Sequence, residues 1–143
     1  MKRTKDPVES YLPPQGIESE ESLLGAILID NCVFNEVVEV IGPEDFYVGA
    51  HREIFKAMID LSGKSEPIDL VTLSHALKKR GAFEKAGGAA GLSRLVDEVP
   101  MAAHAGHYAG IVFEKALLRR LIEKCNAIIK RCVDGRQEGE EVL

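Results

Sequence analysis

The spacing of hydrophobic and polar residues predicts α-helices over most of the chain. The first helix follows the acidic run 18–21, which suits the positive end of a helix dipole. Its apolar face carries Leu23, Leu24, Ile27 and Leu28. Apolar runs at the same helical spacing predict four more helices, over about 33–41, 50–62, 71–80 and 89–99. No segment alternates apolar and polar residues as a half-buried strand does, so the sequence predicts an all-α fold.

The last predicted helix, over about residues 103–133, is much longer than the others. At ~1.5 Å per residue it would reach roughly 45 Å, which exceeds the expected width of a small helical head. Its apolar residues recur at intervals of three, four and seven, as in a coiled-coil seam interrupted by Lys115. The seam consists of Tyr108, Ile111, Leu118, Ile122, Cys125, Ile129 and Cys132, and Leu117, Leu121 and Ile128 widen it. This helix therefore requires a second helix, from its own chain or from a partner.

These patterns divide the chain into three parts. Residues 1–14 contain three prolines and no periodicity, which predicts a flexible or extended tail. Residues 15–102 form a compact multi-helix head. Residues 103–143 hold the long helix, interpreted as the first arm of a helical hairpin, followed by the truncated start of a returning helix from about residue 138.

Composition narrows the functional classes. The 143 residues carry a net charge of −5, whereas a domain that grips phosphates usually has a basic excess, so protein partners are favoured. The three cysteines, Cys32, Cys125 and Cys132, form no CxxC motif and indicate neither a disulfide framework nor a zinc site. No secretory signal and no membrane span is expected, and a reducing cytoplasm is the simplest location.

Short motifs give little support to catalysis, cofactor binding or metal binding. Gly63-Lys64-Ser65 matches the end of a phosphate-binding loop, but Met58 stands where the first glycine is needed and a helix precedes it. His104 and His107 lack a third ligand within sequence reach, and His51 and His75 have no nucleophile paired with them. Two basic clusters are interpreted as solvated helix faces, with DNA contact left as an alternative. They are Lys78-Lys79-Arg80, and Arg119-Arg120 together with Lys124, Lys130 and Arg131.

A series of short runs resembles the N-terminal domain of DnaB-type replicative DNA helicases in order and spacing, over about residues 13–135. The runs are PPQGIESE (13–20), LLG (23–25), EDFY (44–47), HREIF (51–55), PIDLVTL (67–73), GG (87–88), PMAA (100–103), YAGIV (108–112) and LRRLI (118–122).

The resemblance implies a helical head followed by a helical hairpin. It further implies that hairpins of neighbouring subunits pair, that six chains form a collar above a ring of ATPase domains, and that the collar docks primase and can contact helicase loaders. The full protein would then unwind duplex DNA 5′ to 3′ with ATP and Mg²⁺. The second hairpin arm and the motor are expected beyond Leu143, so that this part of the protein has no cofactor and no activity of its own.

The resemblance implies that residues of the seam and its flank contact other proteins. Subunit contacts are expected at Ile111, Leu118, Ile122, Cys125 and Ile129. Leu121 and Ile128 lie on the flank and are expected to face primase or the head.

Two positions depart from the family pattern. Gly91 stands where many members have a bulky aromatic three residues after the paired glycines. His104 stands where an asparagine usually caps the long helix, so that its start is expected to fray. Two other functions stay open, namely a helical adaptor without a motor, and a small enzyme or metal protein that uses His104 and His107.

Overall fold

The computed structural model of the chain describes residues 11–97 and 101–135. Within these ranges the fold is all-α and contains no strand, as the sequence predicts. The helices are α1 (Ile17–Ile29), α2 (Phe34–Val38), α3 (Gly49–Gly63), α4 (Leu70–Lys79), α5 (Gly88–Asp97) and α6 (Ala105–Asp134). Single 3₁₀ turns precede α2, α3 and α6, at Asn31–Val33, Pro43–Asp45 and Ala102–His104. The predicted returning helix and residues 1–10 of the predicted tail lie outside the described residues.

The second helix is shorter than the prediction of 33–41, which was wrong at its C-terminal end. Two backbone amides, those of Val40 and Ile41, both donate to the carbonyl of Val37, at 2.9 and 3.0 Å. This tightened turn closes α2 before Gly42 and leaves Val40 exposed, while Ile41 is buried.

The core of the head forms where α1 packs against α3, α5 and the first half of α6. Three phenylalanines from different elements meet there: the ring of Phe55 lies 5.0 Å from that of Phe46 and 5.7 Å from that of Phe34, centroid to centroid. All three are buried among the leucines and isoleucines of α1, α3 and α4. Aromatic packing therefore joins α2, α3 and the loop between them.

The ends of α1 and α4 are held by side chains of the turns beside them. Asn31, just after α1, donates to the carbonyls of Ile27 and Ile68 and accepts from the amide of Ile68, at 2.7 to 2.9 Å. Asp69 accepts from the amide of Thr72 at 2.8 Å, and its own amide donates to the Thr72 hydroxyl at 3.0 Å, which forms a capping box for α4. The loop 63–69 is thereby fixed against the end of α1.

The long helix α6 has two differently packed halves. Its first half lies on the head through four small or medium side chains at helical spacing, Ala105, Ala109, Val112 and Ala116, all of them buried. Every residue from 121 to 135 is exposed. We call residues 121–135 the arm; its helical part extends about 20 Å beyond the head contacts, at ~1.5 Å per residue.

Replacing Gly110 with alanine should raise the free energy of unfolding by about 0.5–1 kcal/mol. Gly110 lies inside α6, and a Cβ built on it meets nothing within 4 Å, so alanine gains helix propensity without a clash. Urea denaturation followed by circular dichroism measures the change. Gly81→Ala is the control with the opposite sign, because Gly81 has a φ of +70°, which strains any residue with a Cβ. An unchanged or lowered stability of the Gly110 variant would contradict the expectation.

Candidate functional site

The exposed side of α6 carries a continuous apolar stripe. Its leucine and isoleucine side chains are between 37% and 58% exposed, and both cysteines are exposed. The stripe consists of Leu118, Leu121, Ile122, Cys125, Ile128, Ile129 and Cys132. At ~100° per residue, this stripe lies about half a helical turn away from the face that packs on the head. The stripe therefore points away from the head, and the head cannot cover it.

The seven predicted contact residues all lie on α6, but they do not share one environment. Four of the five predicted subunit contacts, Leu118, Ile122, Cys125 and Ile129, follow one exposed line. Ile111 lies on the same side but is half-buried, with its Cγ2 methyl 3.4 Å from a Cβ built on Gly16 at the start of α1. The two predicted flank residues, Leu121 and Ile128, are exposed beside that line.

Two arginines fix the point at which α6 leaves the head. Arg119 donates to the carbonyls of Pro14 and Asp45 at 2.8 and 2.7 Å, and its guanidinium lies 5.4 Å from the centre of the Tyr47 ring. Arg120 forms an ion pair with the buried carboxylate of Asp45, whose other oxygen accepts from the amide of Gly42 at 2.8 Å. For Arg119 and Arg120 the prediction of a solvated face is wrong, because both guanidinium groups contact the head.

A buried carboxylate holds the loop in front of α3. Glu20 is 1% exposed and accepts hydrogen bonds from the amides of Tyr47 and Val48, at 2.9 and 3.3 Å. Nδ1 of His51, at the start of α3, lies 2.8 Å from Oε1 of the same carboxylate. The sequence pattern relates the acidic run 18–21 only to the helix dipole and does not predict this contact. Its spacing could have revealed that Glu20 is buried, because it lies three residues before Leu23 and seven before Ile27 on the same face of α1.

The remaining candidate motifs lie apart from this site. Gly63 ends α3, and Lys64 and Ser65 lie in the exposed turn that follows. His104 and His107 are exposed and contact the ring of Tyr108. Over residues 11–97 and 101–135, no cluster of three or more histidine, cysteine or acidic side chains is suited to a metal ion. None of the helices in the same ranges is long and apolar enough to cross a membrane.

A groove of about 640 Å³ runs along the base of the arm. One wall is the segment 11–14, another is the loop around Tyr47, and the third is α6 from Arg119 to Asn126. Arg52 reaches this groove from α3 while it donates to the carbonyls of Phe46 and Tyr47, at 2.7 and 3.1 Å. No sequence motif marks the groove, because its walls come from three separate parts of the chain.

A family model and curated relatives place the chain in the same family of proteins. Residues 12–114 match the model of the DnaB-like helicase N-terminal domain. The chain is 43% identical over 130 residues to the replicative DNA helicase DnaB of Mycobacterium leprae. The aligned segment covers 91% of this chain and 21% of that protein. It is 42% identical over 131 residues to the replicative DNA helicase DnaB of Geobacillus stearothermophilus, covering 92% of this chain and 28% of that protein. The chain thus spans between a fifth and three tenths of the length of these curated relatives.

Solved structures give the same fold. The crystal structure of the N-terminal domain of DnaB helicase from Mycobacterium tuberculosis matches with a TM-score of 0.87 and 42% identity, over 90% of this chain and 92% of that one. A structure described as a DnaB-like replicative helicase and its interactions with primase matches with a TM-score of 0.72 over 81% of this chain and 27% of that one. At its 24% identity, the second likeness shows the fold alone.

Proposed function

Because the chain belongs to the DnaB-like helicase N-terminal domain family, we propose that it is the oligomerisation and partner-docking domain of a replicative DNA helicase. In this role α6 pairs with helices of a neighbouring subunit, up to a hexamer in the full protein. The five subunit contacts proposed for this pairing are Ile111, Leu118, Ile122, Cys125 and Ile129.

The observation that carries the proposal is the exposed apolar stripe of α6. A contiguous apolar surface is costly to leave in water, and on soluble proteins it usually marks an interaction site. Its period of three and four residues matches the packing of one helix on another. Since the stripe points away from its own head, a helix from outside the head is the partner that covers it.

The rest of the proposed function concerns the whole protein. The full helicase would unwind duplex DNA 5′ to 3′ in the cytoplasm, with ATP and Mg²⁺ bound by a motor domain, and DNA would be engaged by the complete ring. Leu121 and Ile128, on the flank of the stripe, are proposed as contacts for primase, and a helicase loader is a further partner. A helicase of the same fold has been solved together with its interactions with primase.

Sedimentation equilibrium of the Ile122→Glu variant tests the pairing. A glutamate at this position would have to lose its hydration inside an apolar seam without a partner charge, so the dissociation constant of self-association should rise at least tenfold. Val71→Glu is the matched control: Val71 is 79% exposed on α4, away from the stripe, so the same change should leave the mass unaltered. An unaltered mass for Ile122→Glu, at concentrations where the parent chain associates, would overturn the interface.

A further inference from the structure

We propose that the groove at the base of the arm binds an extended peptide of a partner protein, one that carries acidic residues beside apolar ones. This site goes beyond the proposed pairing of the stripe, because the groove opens on the side of α6 between the stripe and the head. Only Ile122 belongs to both surfaces.

The groove has the shape and chemistry of a peptide site. Its volume of about 640 Å³ is within the range of small ligand pockets, and most of its wall is apolar. Tyr11, Leu12, Pro13 and Pro14 line the groove from the segment before α1, and Tyr47 lines it with its ring against the guanidinium of Arg119. An apolar side chain of a bound peptide would pack between the prolines and Ile122.

Charge indicates which peptides fit. Arg52 and Arg119 both line the groove, and the hydrogen bonds they make go to backbone carbonyls. Carbonyls hold the two guanidinium groups in place but do not neutralise them. In the described part of the chain neither arginine forms an ion pair. The nearby carboxylate of Asp45 is paired with Arg120 instead. Glu123, also in the lining, offsets one of the two charges.

The charge of the groove lining, two arginines and one glutamate, favours a peptide over nucleic acid. A phosphate backbone is bound by a series of cations without intervening carboxylates, and the domain as a whole carries a net charge of −5. One surplus positive charge among apolar walls suits instead a peptide with a carboxylate close to a leucine or phenylalanine. Arginine donates two parallel N–H groups to a carboxylate, so the contact has a defined geometry.

The test uses Asn126, an exposed residue of the groove lining, because it can be changed without removing an anchor of the fold. The probe is a short fluorescein-labelled peptide containing Asp-Leu-Phe-Glu, and its counterpart has Asn and Gln in place of the acids. Fluorescence anisotropy with the full chain should show at least threefold tighter binding of the acidic peptide. Asn126→Lys should tighten that binding severalfold and Asn126→Glu should weaken it severalfold.

Ala127 supplies the matched controls, since it is exposed on the next position of the arm but does not line the groove. Ala127→Lys and Ala127→Glu change the net charge equally and should leave the affinity unchanged. Equal responses at both positions, no binding of the acidic peptide, or preferential binding of a fluorescein-labelled oligothymidylate would each overturn the proposal. Self-association measured on the Asn126 variants separates this outcome from failure of the proposed pairing, because Asn126 lies off the stripe.

Discussion

Replacing Glu20 with alanine should lower the free energy of unfolding by about 3–5 kcal/mol. The substitution removes one acceptor from three donors at once, the amides of Tyr47 and Val48 and the imidazole of His51. Leaving a single buried donor without a partner costs about 1–3 kcal/mol. Glu20 and His51 are both buried, so water replaces the lost acceptor poorly.

Urea denaturation of three variants measures this effect. Glu20→Gln keeps the shape and one acceptor oxygen but turns an amide group toward the donors, so its loss should be intermediate. Glu18→Ala is the matched control, since Glu18 is exposed in the first turn of the same helix and its removal should change stability by less than about 0.5 kcal/mol. Equal losses at positions 18 and 20 would show that the hydrogen bonds to the loop contribute nothing particular.

The sequence predicted the helices because their signals are local. The apolar spacing that predicts α4 and α6 acts within a few positions, and both helices end close to the predicted boundaries. The predicted end of α2 is too late because the last turn tightens, with the amide of Val40 donating to the carbonyl three residues before it, at Val37. The spacing of apolar residues does not report such a change in the backbone.

The candidate site was predictable only in part, for the same reason. The stripe repeats along one helix and is visible in the sequence. The groove and the anchor of α6 depend on contacts such as that between Arg119 and Pro14, which are far apart in the chain. Glu20 is an intermediate case, since its spacing placed it on the buried face of α1 but only the fold brings the loop amides and His51 to it.

Replacing Ala109 with leucine, where α6 packs on the head, should lower the free energy of unfolding by about 2–3 kcal/mol. Ala109 is fully buried on the face of α6 that packs on the head, in a row with Ala105, Val112 and Ala116. These small side chains let α6 lie close to α1, which is the element it contacts most. Added methylene groups at a filled contact force backbone shifts or strained rotamers.

Chemical denaturation measures the loss in free energy of unfolding. Hydrogen exchange shows which helices lose protection. Faster exchange is expected in α1 and in the first half of α6, since these surfaces are pushed apart, while the exposed arm should exchange as in the parent chain. Ala127→Leu makes the same change on the same helix at an exposed position and should alter stability by less than about 0.5 kcal/mol. If Ala109→Leu were equally harmless, α6 would not be held by close packing, and the two arginine anchors alone would set the direction of the arm.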